Sequence, residues 1–167
     1  MKRLMTFAVI MMVMTVAYAQ QRTNYKFKFE YAVEIESENG TDCDIVFDIN
    51  DRPGETPMIK MVNNSNGEVN NEEVKPMVVY NTDDGMICFS NADGDTIFGL
   101  SMHADDNGAK SCILYVINVE NGESKVQYGL TNETGSPNDE QCTLAYNALL
   151  KSIKAKSFNN YTVETLK

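Results

Sequence analysis

His103 is the only histidine in the 167-residue chain, so any mechanism that needs an imidazole must be built around it. Ser101 and Ser111 are the serines nearest to it in sequence, and many acidic residues could complete a triad. The chain lacks the G-x-S-x-G, H-E-x-x-H, Walker and G-x-G-x-x-G motifs, which place catalytic groups on defined turns. A small secreted hydrolase centred on His103 therefore stays an alternative, and no residue is assigned as catalytic.

Carboxylates are concentrated in short segments around Asp83-Asp84, Asn91 to Asp95 and Asp105 to Asn107. Calcium binds six to eight oxygens from such groups. None of these segments has the EF-hand spacing, which requires a bidentate glutamate at the twelfth position. Asp, Asn and Gly are also the ordinary residues of tight turns. We therefore predict turns there, with no metal site and no cofactor.

The four cysteines are widely spaced, and no pair forms the C-x-x-C motif of redox or zinc sites. In an oxidising compartment an even number of cysteines permits disulfides, with three possible connectivities for four thiols. Each cysteine also lies in an apolar segment, where it could serve as a small buried hydrophobe. Disulfides are therefore possible but their pairing is open among Cys43, Cys88, Cys112 and Cys142.

An aromatic stripe runs along the first predicted strand at Tyr25, Phe27, Phe29 and Tyr31. Charged or polar residues separate these aromatics, and this period of two is typical of a strand with one buried face. The stripe could form the wall of an apolar ligand cavity in a small barrel. It could equally form the core of a sheet or sandwich. These four residues are the candidate ligand-binding residues.

The elements that would position these residues are mostly strands. Short apolar runs separated by Asp-Gly and Asn-Gly connectors favour antiparallel neighbours over crossover helices. The run 111–119 is apolar on both faces and should be covered on both sides. Its cover would be the helix predicted over 136–156, which begins with Ser136 as N-cap. The polar stretch 52–75 is predicted to be a long mobile connection with one short strand.

The predicted fold class is α+β and mainly β. We expect an antiparallel meander sheet or flattened barrel of about seven or eight strands, with one C-terminal helix packed against it. Residues 20–167 would form this single domain.

Residues 1–19 have the pattern of a cleaved signal peptide. Lys2 and Arg3 precede an apolar run, and Ala17-Tyr18-Ala19 provides a small-x-small site before Gln20. Cleavage between Ala19 and Gln20 would release a secreted or periplasmic domain. It would have no lipid anchor, because Gln20 stands where a lipoprotein has cysteine.

The charge balance limits the possible partners. The whole chain has a net charge of −10, and loss of Lys2 and Arg3 with the leader would leave 12 basic and 24 acidic residues. Nucleic acid and anionic membrane surfaces require clustered Lys and Arg, so neither is predicted as a partner. No membrane insertion is predicted either, since no apolar run reaches about 20 residues.

The leading hypothesis is an exported, non-catalytic binding or interaction protein whose ligand is a protein or a small apolar molecule. The hydrolase is one alternative. Another is a structural or adhesive envelope subunit that adds strands to a partner.

Overall fold

The computed structural model describes residues 23–52, 55, 57–79, 86–155 and 162–164. Within these ranges the chain forms nine strands and one α-helix, α1 (Pro137–Lys154). The predicted signal peptide lies outside the described residues. The strands are β1 (Thr23–Glu34), β2 (Gly40–Asp51), β3 (Met58–Asn63), β4 (Glu68–Val79), β5 (Ile87–Asn91), β6 (Thr96–Ala104), β7 (Lys110–Glu120), β8 (Glu123–Thr131) and β9 (Thr162–Glu164).

The first eight strands form a closed antiparallel barrel. The order around it is β3-β2-β1-β8-β7-β6-β5-β4, and pairing of β3 with β4 closes the circle. The short β9 is an extra strand that pairs in parallel with Met77–Val79 of β4. The predicted antiparallel meander of seven or eight strands with a C-terminal helix is confirmed, and it is a barrel rather than an open sheet.

Aromatic side chains fill the centre of the barrel. Phe27 on β1 lies opposite Phe47 on β2, with ring centroids 6.2 Å apart. Phe47 also packs against Phe98 on β6, at 5.5 Å. Because β2 and β6 lie on opposite sides of the barrel, this contact crosses its interior. An eight-stranded barrel is just wide enough for side chains to fill in this way or for one small ligand.

The stretch 52–75 contains more regular structure than its sequence predicts. It holds all of β3 and the first part of β4, which form a hairpin through the turn at residues 64–67. The prediction of a connection with one short strand was therefore wrong in this respect. The second strand is hard to recognise from the sequence, because its residues Glu68, Asn70 and Asn71 are polar and exposed. The predicted mobility of the stretch stays a prediction.

Helix α1 fills a gap between β1 and β7. The β8 ladder covers β1 only from Tyr31 to Glu34, and it covers β7 only from Leu114 onward. The chain leaves β8, passes the N-cap Ser136 and runs beside the uncovered parts of both strands. Its apolar side chains enter the same core as the barrel interior; these are Cys142, Tyr146, Leu149 and Ile153. The helix predicted over 136–156 is confirmed.

Candidate functional site

The structure separates the four candidate aromatics. Tyr25, Phe27 and Phe29 are buried in the core, whereas the side chain of Tyr31 is 39% exposed. The Tyr25 side chain hydrogen-bonds to Ser152 of α1, and burial is the main cause that raises the pKa of Tyr25. The four residues therefore do not line one common wall.

A register shift between Phe29 and Tyr31 explains the separation. Phe27 and Phe29 face the barrel interior, but beyond the shift Ala32 is paired with Leu130, which is buried beside Leu114. Ala32 therefore faces inward, and Tyr31 faces outward opposite Thr131. Odd-numbered side chains face inward up to Phe29, and even-numbered side chains face inward from Ala32 onward. The sequence continues its apolar pattern through this point, so it gives no signal of the change.

The two ends of the barrel interior differ in exposure. Toward α1 the inward side chains are essentially buried, as Leu114 and Leu130 show. Toward the four hairpin turns they become accessible: Val116, two residues after Leu114, is half-buried, and Tyr128, two residues before Leu130, is 46% exposed. The same gradient runs along β2 from Phe47 to Ile45. The inward side chains are therefore sealed from solvent at the helix end and accessible to it at the turn end.

We call this accessible end the mouth of the barrel. Its wall consists of six inward apolar residues: Ala32, Cys43, Ile45, Met61, Val116 and Tyr128. Phe47 and Phe98 lie deeper and form its floor. Polar residues occupy the next inward positions toward the turns, and these include Glu34, Thr41 and Asn118. An apolar wall with a few polar groups at its edge is typical of small-molecule sites, and barrel mouths are among their usual positions.

None of the six residues of the mouth wall is among the four aromatics that the sequence predicts as ligand-binding. Val116 and Tyr128 lie on different strands, and their common exposure depends on the ladder register that pairs them. The signal that could have indicated them is the apolar alternation of β7 and β8 near a turn. That pattern alone does not distinguish a sealed end from an open one.

His103 lies near the opposite end of the barrel, on the exposed end of β6. Its ladder partner is Ser111, so the structure brings together two of the residues that a triad would need. The Ser111 hydroxyl, however, shares a 3.3 Å hydrogen bond with the hydroxyl of Thr134. Within the described residues His103 makes no side-chain hydrogen bond. Among the described residues, His103 and Ser111 therefore do not form a hydrogen-bonded nucleophile–base pair.

All four cysteines are free thiols in the structure, so the possible disulfides are not formed. Cys112 and Cys142 both lie in the core, and besides burial the charge of the Cys142 thiolate is one cause of the raised pKa of Cys112. Cys88 is paired with Gly99 on the outer side of the wall, whereas Cys43 contacts the core from β2. Cys142 donates from Sγ to the carbonyl oxygen of Lys28 at 3.3 Å. Burial raises the pKa of the Cys142 thiol to about 11, and it raises the pKa of Cys112 further.

A shallow groove of about 420 Å³ lies beside the start of α1. Its wall includes Lys110, Thr134, Asp139 and the 70% exposed Leu144. Asp139 is buried, and its Oδ2 accepts from the backbone N–H of Gly135 at 3.1 Å. This carboxylate belongs to the first helical turn, where the helix dipole favours negative charge. Among the described residues, no cluster of three or more His, Cys, Asp or Glu could hold a metal ion.

Comparison with known proteins adds no relative. No protein-family model, curated protein or solved structure matches this chain. In the described part of the chain, no helix has the length and apolar character needed to cross a membrane.

Proposed function

We propose that the protein is an exported, non-catalytic binding protein that holds a small apolar ligand in the mouth of the barrel. The observation that supports this most directly is the exposure gradient along the inward side chains, from the fully buried Leu114 to the half-buried Val116 on β7. Export itself is supported by the predicted signal peptide, residues 1–19.

The depth of the mouth limits the ligand. Contact between Phe47 and Phe98 blocks the barrel axis, so a ligand would rest on these two rings rather than pass between them. A compact aromatic molecule or a short acyl chain fits this depth better than a long chain. The Tyr128 ring can cover one side of such a ligand while its hydroxyl stays in water. Removal of apolar surface from water would drive the binding.

The test uses the neutral dye N-phenyl-1-naphthylamine, whose fluorescence rises in apolar surroundings. Titration into the mature chain should give saturable binding. Val116→Phe should weaken it by about tenfold, since the larger ring occupies the mouth. The matched control is Ile117→Ser, because the neighbouring side chain points to the outer side of the same strand. Circular dichroism would verify that both variants keep the native fold.

Two outcomes would contradict the proposal. One is the absence of saturable binding to the folded mature chain. The other is a loss of binding in Ile117→Ser that equals the loss in Val116→Phe, which would place the dye on the outer surface.

A further inference from the structure

The outer side of the barrel carries a second apolar surface that the core does not use. We call it the outer apolar face. Its members are Tyr31, Ile35, Met86, Ile113, Tyr115 and Ile117. Tyr115 pairs with Gly129 and Gly99, and its neighbours Leu114 and Val116 both point inward. Tyr115 therefore points to the outer side of the barrel.

Two glycines lie beneath these side chains, and the positions of their missing Cβ atoms show which outer side chains are neighbours. A Cβ placed on Gly129 would lie 3.7 Å from Tyr115 and 3.9 Å from both Ile113 and Ile35. A Cβ on Gly99 would lie 2.8 Å from Sδ of Met86. Glycine inside a strand weakens the strand and marks places where other groups approach the backbone closely. The outer side chains therefore form one contiguous layer over β8, β7 and β6.

Helix α1 does not bury this layer. The run 111–119 is apolar on both faces, as its sequence indicates, but the buried residues of α1 belong to the core on the inner side. The prediction that α1 packs against this run is confirmed by its contacts with β7, whereas the expected cover on both sides is not seen for the outer side within the described residues. Ile113, Tyr115 and Ile117 are half-buried, whereas Tyr31 and Ile35 are 39% and 43% exposed. An apolar layer of this kind is typical of an interaction surface.

The border of the outer apolar face is acidic. Asp42 is the ladder partner of Tyr31, and Glu38 lies in the adjoining loop. Glu120 and Glu123 pair at the β7–β8 turn with the same inward parity as Val116 and Asn118, so they lie toward the rim of the mouth and not on this border. Among the described residues, the ion pair in this region joins Lys125 to Glu36. Asp42 and Glu38 have no cationic partner in the described part of the chain.

We propose that the outer apolar face docks a basic segment of another protein, in which apolar side chains alternate with Lys or Arg. The apolar side chains would cover Ile35, Ile113 and Tyr115, and the cations would meet the acidic border. A second copy of this chain fits less well, because a symmetric dimer would bring equal acidic borders together. This surface is separate from the mouth, so the inference does not depend on the proposed ligand.

The experiment compares two short labelled peptides by fluorescence anisotropy with the mature chain. One alternates leucine with lysine, and the other alternates leucine with glutamate. The lysine peptide should bind about tenfold more tightly than the glutamate peptide, and salt should weaken it. Ile35→Ser should reduce its affinity at least about fivefold. The double variant Glu38→Gln/Asp42→Asn should flatten the salt dependence.

Val69→Ser is the matched control, because Val69 is 54% exposed on β4. It should leave the affinity unchanged. The inference is overturned if the lysine peptide does not bind, if both peptides bind equally, or if Ile35→Ser and Val69→Ser behave alike. Sedimentation velocity provides a further test: a dimer that Ile35→Ser dissociates would assign the face to a second copy instead. Dye binding in the mouth should be unaffected by Ile35→Ser in every case.

Discussion

The side-chain amide of Asn132 forms two hydrogen bonds with the backbone of β1, at Lys28 and Glu30, as a neighbouring strand would. Its side-chain Nδ2 donates to the backbone carbonyl oxygen of Lys28 at 2.9 Å, and its Oδ1 accepts from the backbone N–H of Glu30 at 2.9 Å. The ladder between β1 and β8 ends at Thr131, so the Asn132 amide extends the pairing by one step. It is 6% exposed and lies where α1 begins to cover the gap. The barrel seam therefore depends on this amide.

Replacement of Asn132 by alanine should lower the free energy of unfolding by about 3 kcal/mol, because two backbone groups of β1 lose their buried partner. Urea denaturation monitored by circular dichroism would measure the change. Asn107→Ala is the control, since Asn107 is exposed in the β6–β7 turn; its effect should stay within about 0.5 kcal/mol. Equal losses in the two variants would show that the amide does not hold the seam.

The free thiols lead to a prediction about alkaline pH. Burial raises the pKa of Cys142 from the usual 9.0 to about 11 in the folded protein. Above the unfolded pKa the unfolded chain releases protons that the folded chain retains. The free energy of unfolding should therefore fall as pH rises from about 9 to about 11, by about 1.4 kcal/mol for each pH unit that separates the folded pKa from the unfolded pKa.

Thermal denaturation at pH 8 and pH 10.5 would measure this loss. Cys142→Ala should reduce the pH dependence, whereas Cys43→Ala should change it less, because Cys43 is only half-buried. Thiol titration of the denatured chain should detect four free thiols. A pH dependence unchanged in Cys142→Ala would contradict the prediction.

Much of the fold follows from local patterns in the sequence. Period-two alternation indicates β1 and β2, and the stripe of Cys142, Tyr146 and Leu149 after the Ser136 N-cap indicates α1. The β3–β4 hairpin was missed in part, because the exposed polar residues of β4 give no such alternation. Closure of the barrel depends on this hairpin, so the sequence alone leaves barrel and open sheet as alternatives.

The candidate site was harder to predict for a related reason. Whether Tyr31 or Ala32 faces inward depends on a register shift that three-dimensional pairing decides, not on the type of either residue. Exposure of Tyr128 depends on its distance from the sealed end of the barrel. Residue types can therefore predict an apolar stripe, but its division between core, mouth and outer face requires the register of all neighbouring strands.

The tripeptide Glu-Asn-Gly occurs at two hairpins and adopts a different turn at each. At the β7–β8 turn Asn121 and Gly122 have φ values of 55° and 82°, as a two-residue type I′ turn requires. In the β1–β2 loop it is Glu38 that has a positive φ, 55°, and the backbone N–H of Glu34 donates to the carbonyl oxygen of Asn39. A glutamate in the left-handed region is strained by about 1–2 kcal/mol.

Glu38→Gly should therefore raise the free energy of unfolding by about 0.5–1 kcal/mol, because glycine adopts this conformation without strain and the gain exceeds its entropic cost. Glu123→Gly is the matched control: it removes the same charge, but from the first residue of β8, where glycine should lower stability by about 0.5–1 kcal/mol. Urea denaturation of both variants would measure these two opposite changes in the free energy of unfolding. A loss of stability in both would mean that the Glu38 side chain contributes more to the loop than its backbone strain costs.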